Sequence, residues 1–406
     1  MRKLPPTLPV FLIVLVDVLG LTMLIPLLPF YAQTFGATEV QVGALMSVYA
    51  ACSLVAGPPL GALSDRYGRK PVLLVSQLGT FLGLIMLAFA PNLWIVFLSR
   101  ILDGATAGNI TVAQAFIADV TRPRDRAKKF AIIGISFGVG FLIGPAATSF
   151  IASTFGDRAA ILAASSLSAL SILTTLVLLP MHPERPAPEP GEPPAQTFRR
   201  PSPFDVGAFA AFFRRPELAP LLMQYFAFSL SFSFFMGGFA LFAERRFMFG
   251  TKEVSYVLTY AGFLGVIVQG GLLQRLIRTL GETRLALIGF AATVLSQILL
   301  GAAYSVPMLY LSTTVLSAAG FLRPVLSSLI SRRTGPHEQG AVIGVTQSLM
   351  SVSQIIGPLI ASYMIGQGWI AASAFAAAGI AFVGLVLQRR ATAAENTASA
   401  FSTQSS

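Results

Sequence analysis

The chain has 406 residues, of which 54% are hydrophobic and 11% are charged. Soluble domains carry about a quarter charged residues, so this composition excludes an ordinary soluble globular protein. The formal net charge of +11 comes mostly from Lys and Arg in loops on one side of the apolar segments. That distribution follows membrane topology, so the basic excess does not require a nucleic-acid partner.

Apolar segments of roughly 20 residues, each long enough to cross a hydrocarbon core, recur about twelve times. The first segment starts like a signal peptide, but it contains Asp17 and lacks an A-x-A site, so we expect it to be retained. The asymmetry of Lys and Arg predicts that both termini are cytoplasmic, in the inner membrane of the cell. The predicted spans are 8–31, 40–63, 71–91, 92–118, 129–152, 158–180, 217–242, 253–274, 284–304, 307–331, 340–365 and 369–388.

The predicted organisation is two six-helix bundles, at 1–180 and 217–390, joined by a cytoplasmic linker at 181–216. The linker is rich in proline, which excludes a regular helix over most of its length. The stretch from Phe204 to Arg215 mixes phenylalanines with arginines, which leaves open whether a short interfacial helix forms there. Residues 391–406 are predicted to be a disordered cytoplasmic tail.

The two halves carry an internal repeat. At one constant offset along the chain, Pro123 matches Pro336, Gly144-Pro145 matches Gly357-Pro358, and Ser149 matches Ser362. Matches at a single offset near half the chain length predict two pseudo-symmetric bundles, which we expect to face each other across a central cavity. The fold class is therefore predicted to be all-α, integral to the membrane, with twelve transmembrane helices.

Chemical motifs for a metal, a cofactor or an enzyme are missing from the sequence. Cys52 is the single cysteine, and the two histidines stand apart in predicted loops, so we expect no metal site and no disulfide framework. There is no G-x-S-x-G and no phosphate-binding loop, and the few charges within the spans do not pair a nucleophile with a base. We therefore expect a protein that is not an enzyme.

The loop after the second span reads GALSDRYGRKPVLL, from Gly61 to Leu74. Glycine permits close helix approach and a tight turn, and an aspartate can pair with a cation or with a helix N-terminus. Basic residues fix the loop on the cytoplasmic side and can contact acidic lipid. The residues that carry this pattern are Gly61, Asp65, Arg66, Gly68, Arg69 and Lys70.

Three charged residues lie within predicted spans 1 and 4. Arg100 and Asp103 are three residues apart on one helical face of span 4, where each can compensate the other. Asp17 lies about nine residues inside span 1, and a carboxyl at that depth binds protons more readily than in water unless a cation such as Arg100 opposes this. Coupling to protons and a purely structural role in packing both remain open for these residues.

Other positions have weaker signals. Gly140, Gly144 and Pro145 in span 5 predict close helix packing with a bend. Arg323 precedes Pro324 in span 10, where an arginine can attract an anionic substrate or pair with an acid. Neutral polar or aromatic side chains that can reach a cavity are Asn109, Gln114, Gln224, Phe232, Gln269 and Gln347.

The loop at 61–74 resembles the signature G-x-x-x-D-R-x-G-R-[RK] of the major facilitator superfamily. Arg100 and Gly104 resemble that family's R-x-x-x-G motif of span 4, and GVGFLIGPAATS resembles its antiporter motif, except that the two glycines at the end of the motif are absent. The resemblance covers nearly the whole chain and is nearest to the tetracycline/proton antiporter branch. It implies a gating role for the loop, especially Asp65 and Arg69, and a hinge in span 5.

The resemblance also has gaps. Acidic or histidine positions that tetracycline exporters use in spans 3, 8 and 9 fall here on Gly83, Gly265 and Thr293. The sequence therefore predicts proton-coupled efflux of a small amphipathic organic compound by alternating access, acting as a monomer. An organic-anion symporter or uniporter is the alternative within transport, and a non-transporting receptor or sensor is the alternative outside it.

Overall fold

A computed structural model describes residues 7–121, 126–181, 206–335 and 338–404. These residues form helices joined by short turns, and within those ranges there is no strand. The helices are α1 (Thr7–Gln33), α2 (Glu39–Tyr67), α3 (Arg69–Ala88), α4 (Leu93–Ala105), α5 (Asn109–Val120), α6 (Arg126–Phe155), α7 (Asp157–Leu178), α8 (Val206–Phe213), α9 (Ala219–Phe247), α10 (Thr251–Ile267), α11 (Leu273–Leu280), α12 (Glu282–Gly301), α13 (Val306–Ala318), α14 (Leu322–Arg332), α15 (Gln339–Gly366) and α16 (Ile370–Gln404).

Eleven segments of the described chain are long and apolar enough to cross a membrane. The segment predicted as one span at 92–118 is divided in the structure into α4 and α5. Thr106 turns its hydroxyl back to the carbonyl of Leu102 at 2.8 Å, and the N–H of Gly108 bonds to the carbonyl of Thr106. These local bonds replace the helical pattern between the two segments.

Two further spans, Thr251–Leu280 and Val306–Arg332, contain interruptions of the regular α-helical hydrogen bonding. Residues Val268–Leu272 form a π-helical turn between α10 and α11. A turn at 319–321 separates α13 from α14, and the Nε2 atom of Gln269 donates to the Gly320 carbonyl across 3.5 Å. One amide therefore bridges the two irregular points.

The predictions for the linker and for the C-terminal tail compare differently with the structure. Helix α8 forms at Val206–Phe213, inside the stretch where an interfacial helix was left open, whereas residues 182–205 of the predicted linker lie outside the described residues. Helix α16 continues to Gln404, although a disordered tail was predicted from residue 391. The alanines in ATAAENTASA favour helix, which the low hydrophobicity of this stretch concealed.

Contacts divide the chain into two compact units. Unit 1 comprises Met1–Arg199 and Phe249–Phe263, and unit 2 comprises Arg200–Met248 and Leu264–Ser406. This division assigns part of α10 to unit 1, whereas the sequence suggested a boundary at the linker alone. In unit 1 the apolar core includes Val14, Phe116 and Ile117, and in unit 2 it includes Phe290 and Leu322.

Large apolar side chains are also exposed on the outer faces of many helices. Val177, Phe150, Leu173 and Val55 each expose more than half of their surface. An aqueous surface rarely carries so many exposed apolar groups, but lipid requires them. The described residues therefore form a multi-pass membrane protein.

Candidate functional site

The break between α4 and α5 brings charged and polar side chains together inside unit 1. Arg100 Nη1 lies 3.2 Å from Asp103 Oδ2, and only 3% and 5% of these two residues are exposed. This is the i, i+3 pair expected from the sequence. A buried ion pair costs desolvation of both charges, so its geometry matters more than its presence.

Arg100 is not satisfied by this one pair. Its Nε and Nη2 atoms are buried and have no hydrogen-bond partner among the described residues. Asp103 also accepts a hydrogen bond from Thr80, and Tyr49 lies within electrostatic range of both charges. The guanidinium thus keeps unused donor positions inside the unit.

Asp17 on α1 faces the same interior. The side chains of Ser171 and Asn109 hydrogen-bond to its carboxyl group, and it is close enough to Asp103 for their negative charges to repel each other. Its Oδ2 atom is buried and has no hydrogen-bond partner in the described part of the chain. The two carboxyls therefore share an environment that contains one guanidinium.

A neutral hydrogen-bond network supports Asp17 from behind. Gln77 Nε2 donates to Ser171 Oγ at 2.7 Å, and Ser168 Oγ donates to the Gln77 carbonyl at 3.3 Å. Ser171 can accept from Gln77 and still donate its one hydroxyl proton to the Asp17 carboxyl. Sequence reasoning missed Gln77 and Ser171, since a single neutral polar side chain in an apolar span has no distinctive pattern.

Gly83 lies beside this cluster. A Cβ atom at that position would stand 3.1 Å from the Ser99 carbonyl oxygen and 3.3 Å from Asp103 Cβ. Such distances are tighter than ordinary van der Waals contact. Any side chain at position 83 would therefore displace α4 at the level of Asp103.

The loop between α2 and α3 forms a charge cluster around Arg69, which we call the Arg69 clamp. Arg69 pairs with Asp65, its Nε atom lies 2.8 Å from Asp119 Oδ2, and its Nη1 atom donates to Ser64 Oγ at 2.6 Å. Asp119 lies in the last turn of α5 and was not singled out from the sequence. Its position before a basic loop is the signal that was available.

The remaining loop residues have separate contacts. Lys70 Nζ donates to the carbonyls of Leu176 and Leu179 at 2.7 and 2.8 Å, so it caps the end of α7. Gly68 has φ +94°, a conformation that favours glycine. Arg66 lies over the Tyr67 ring, and Gly61 faces Thr111.

Helix α6 packs on α1 through the predicted span-5 glycines. Cβ atoms at Gly140 and Gly144 would collide with Val18 and Thr22, and the Thr22 hydroxyl donates to the Gly140 carbonyl at 2.9 Å. Pro145 lies inside an otherwise continuous helix. It lacks the N–H that would bond to the carbonyl four residues earlier.

That carbonyl belongs to Phe141, and the backbone of a glycine in α10 packs against it. A Cβ atom at Gly262 of α10 would collide with the Phe141 carbonyl and the adjoining peptide. The missing side chain allows backbone to approach backbone where the proline has removed a donor. The role of Gly140, Gly144 and Pro145 as a hinge remains a prediction.

The other cavity candidates are dispersed. Gln114 is half-buried in unit 1, whereas Asn109, also half-buried, belongs to the cluster at Asp17. In unit 2, Gln224 is fully buried, and its two amide atoms have no partner among the described residues. Side chains that are exposed are those of Phe232, Gln269, Arg323 and Gln347.

Unit 2 contains a small, partly open pocket of about 20 Å³ among α9, α12, α15 and α16. Phe234, Phe235, Phe239 and Phe242 line it together with Gln297. This volume accommodates about one water molecule. The space is therefore too small for an organic substrate in this structure.

Comparisons with known proteins agree with the motifs. Residues 10–282 and 270–405 match the family model of the Major Facilitator Superfamily. The chain is 30% identical over 375 residues to the class C tetracycline resistance protein of Escherichia coli, covering 89% of this chain and 92% of that one. It is 27% identical over 365 residues to multidrug resistance protein 2 of Bacillus subtilis, covering 86% and 87%.

The fold also matches solved structures. The crystal structure of the human organic anion transporter MFSD10 superimposes with a TM-score of 0.72 and 25% identity, covering 95% of this chain and 100% of that one. The predicted resemblance to the tetracycline-resistance branch is thereby confirmed. The chain therefore belongs to the major facilitator superfamily, and it is a multi-pass membrane transporter rather than an enzyme.

Proposed function

We propose that this transporter exports small amphipathic organic compounds in exchange for protons, by alternating access. The observation that carries the proposal is the arrangement of two carboxyls, Asp17 and Asp103, around the single guanidinium of Arg100. With both acids ionised, this interior carries an excess negative charge. A buried excess charge is costly, so the site favours a proton or a substrate cation that neutralises it.

Asp17 is the acid best suited to that exchange. Asp103 already pairs with Arg100, whereas Asp17 is held only by the neutral side chains of Ser171 and Asn109. A cationic substrate that reaches Asp17 competes with a proton for the same charge. Such competition couples substrate release to proton uptake, provided that the site opens alternately to the two sides.

The class of substrate follows from the same chemistry and from the relatives. Proteins named for tetracycline and multidrug resistance align along most of the chain. Since two carboxyls surround one guanidinium in this interior, we propose amphipathic cations as the class. The Arg69 clamp is proposed to gate the predicted cytoplasmic side of unit 1, where both termini are expected.

The test is flux in proteoliposomes with an imposed pH gradient. Ethidium serves as the lipophilic cation, and Asp17→Asn and Asp103→Asn are compared with wild type. The exposed Glu217 supplies a matched carboxyl-to-amide control, Glu217→Gln. We expect gradient-driven flux to be lost in Asp17→Asn while ethidium binding persists. Flux that ignores both the gradient and the two aspartate variants would contradict proton coupling.

A second candidate is a carrier of organic anions. Arg323 is exposed near the start of α14, immediately after the turn at 319–321, and the human structural relative is described as an organic anion transporter. A guanidinium beside a helix N-terminus attracts anions. Uptake of a fluorescent organic anion that is abolished by Arg323→Gln, but not by Arg284→Gln at another exposed arginine, would favour this alternative.

A further inference from the structure

The turn between α11 and α12 in unit 2 repeats the turn between α2 and α3 in unit 1. Gly68 has φ 94° and ψ 156°, and Gly281 has φ 76° and ψ 159°. The two glycines are separated by the same offset that relates Gly144 to Gly357 in the internal repeat. Each glycine is followed by the first residue of a helix, Arg69 in one unit and Glu282 in the other.

The charges in the two turns have opposite signs. Arg69 Nε lies 2.8 Å from Asp119 Oδ2 in unit 1, and Arg332 Nη2 lies 3.2 Å from Glu282 Oε1 in unit 2. Asp119 and Arg332 are also related by the offset of the repeat. The same backbone arrangement therefore holds an ion pair in each unit, with acid and base exchanged.

Each pair is supported by a serine. Ser64 Oγ accepts from Arg69 at 2.6 Å, whereas Ser328 Oγ donates to Glu282 Oε1 at 2.9 Å. A hydroxyl group can accept from a cation or donate to an anion, so it suits either sign. The reversal thus extends to the direction of the hydrogen bond.

The helix dipole explains why the two turns need different numbers of partners. A positive charge at the first position of α3 is unfavourable, and Arg69 has two acids, Asp65 and Asp119, around it. A negative charge at the first position of α12 is favourable, and Glu282 manages with one arginine and one hydroxyl.

The exposures of the two partners show which one can move. The Glu282 side chain is 10% exposed, whereas that of Arg332 is 72% exposed. Glu282 Oε2 is buried and has no hydrogen-bond partner among the described residues. A fixed buried acid with an open acceptor and an exposed arginine form a pair that can be released without unpacking a helix.

We propose that Glu282, Arg332 and Ser328 form a second clamp, the charge-inverted counterpart of the Arg69 clamp, which holds the α11–α12 turn in one state of the transport cycle. The proposal rests on the proposed alternating-access function. Glu282 acts here as a positioning residue and does not contact the substrate. Loss of the pair changes the rate of the cycle and leaves substrate binding intact.

The test is a charge swap. Glu282→Arg, Arg332→Glu and the double variant are reconstituted, and ethidium flux is compared with ethidium binding in detergent. We expect each single variant to lower maximal flux about tenfold with binding within about twofold, and the double variant to recover most of the loss. Arg284→Gln, in the same turn of α12 and exposed, should retain wild-type flux.

Folding and function are separated by two further measurements. Size-exclusion profiles verify each variant, and Glu282→Gln provides a milder change should a charge reversal fail to fold. Single variants that transport at the wild-type rate, or a well-folded double variant no better than the worse single one, would overturn the second clamp.

A labelling assay reports on the clamp even if wild type shows no gradient-driven flux. Thr279 is exposed two residues before Gly281, so Thr279→Cys in a Cys52→Ser background reports access to the turn. We expect maleimide labelling to accelerate about tenfold in Glu282→Gln and to return toward wild type in the charge swap. A labelling rate that stays the same in these variants contradicts the clamp. An absence of gradient-driven flux in wild type contradicts only the proposed function.

Discussion

The two units solve the same packing problem with different chemistry. In unit 1, Gln77 on α3 donates to Ser171 on α7 at 2.7 Å. At the positions of unit 2 that correspond by the repeat, the ring of Phe290 packs directly against Gly384. A polar pair and an aromatic–glycine pair thus occupy equivalent places between equivalent helices.

A second pair of equivalent positions also differs in chemistry between the two units. Gly83 in unit 1 approaches the Ser99 carbonyl, and Ser296 in unit 2 donates its hydroxyl to the Ser312 carbonyl at 2.9 Å. The charged residues have no such counterparts, because Arg100 corresponds to Thr313. Among the described residues, no charged residue of unit 2 is buried as deeply as Arg100 and Asp103 are in unit 1.

The difference indicates what the shared fold requires and what it does not. Close helix packing recurs in both units, so the architecture depends on small residues and complementary shapes. The buried charges of unit 1 are not needed for that architecture, and they are costly to maintain. They are therefore best explained by the transport chemistry that we propose.

The largest expected effect is on the unit 1 charges. Arg100→Gln leaves two acids without their cation and should lower the free energy of unfolding by about 3–5 kcal/mol. Thr313→Val, at the corresponding site of unit 2, removes one neutral hydrogen bond to Leu309 and should cost about 1 kcal/mol. Denaturant unfolding in detergent measures both, and equal losses would contradict the comparison.

The next effect concerns the contact between α1 and α6. Gly144→Ala forces a methyl group onto Thr22 and should cost about 1–3 kcal/mol of unfolding free energy. Gly134→Ala is the matched control on the same helix, because nothing lies near its missing side chain, and it should be neutral or slightly stabilising. A loss of similar size in both variants would contradict close packing against Thr22 as the cause, because helix propensity alone favours alanine over glycine.

The next effect concerns the positions at which unit 2 carries Phe290 and Gly384 where unit 1 carries Gln77 and Ser171. Gly384→Ser should be destabilising by about 1–3 kcal/mol because its side chain meets the Phe290 ring. Phe290→Gln combined with Gly384→Ser transfers the unit 1 pair into unit 2 and should recover part of that loss through a new hydrogen bond. Thermal unfolding of the single and double variants decides whether the two contacts are interchangeable.

The smallest effect is a pH dependence outside the spans. Arg215 donates twice to Glu338 at 2.6 Å, and these hydrogen bonds hold the pKa of Glu338 below its usual range. A lowered pKa means that the pair stabilises the fold above the usual glutamate value of about 4.3 and that this contribution disappears as pH falls through the lowered pKa.

Glu338→Gln provides the measurement for this pair. The melting temperature of wild type should exceed that of the variant near neutral pH, and the two should converge in acid. Because the side chains of Arg215 and Glu338 are 43% and 38% exposed, high salt should also reduce the difference. A difference that persists unchanged in acid would assign the effect of Glu338 to something other than its charge.

Much of this arrangement was predictable from the sequence. The spans followed from length and hydrophobicity, the repeat from Gly144-Pro145 and Gly357-Pro358, and the pairing of Arg100 with Asp103 from helical spacing. These features are local or periodic, and such features are visible in one sequence.

The rest depended on contacts distant in the chain. Asp119 lies 50 residues from Arg69, and Gln77 lies 94 residues from Ser171. The break after α4 was concealed because glycine is common in membrane helices that remain continuous. The roles of Asp17, Arg323 and the span-5 hinge remain predictions for the experiments above.

The π-helical turn at Val268–Leu272 has a consequence for how the two units diverged. The offset from Glu39, where α2 begins, to Thr251, where α10 begins, is one position shorter than the offset from Gly68 to Gly281. A π turn spans one residue more than an α turn, so it holds a single-residue insertion without interrupting the helix. Deleting Gly270 would remove this extra residue, so the helix would regain the register of its counterpart α2.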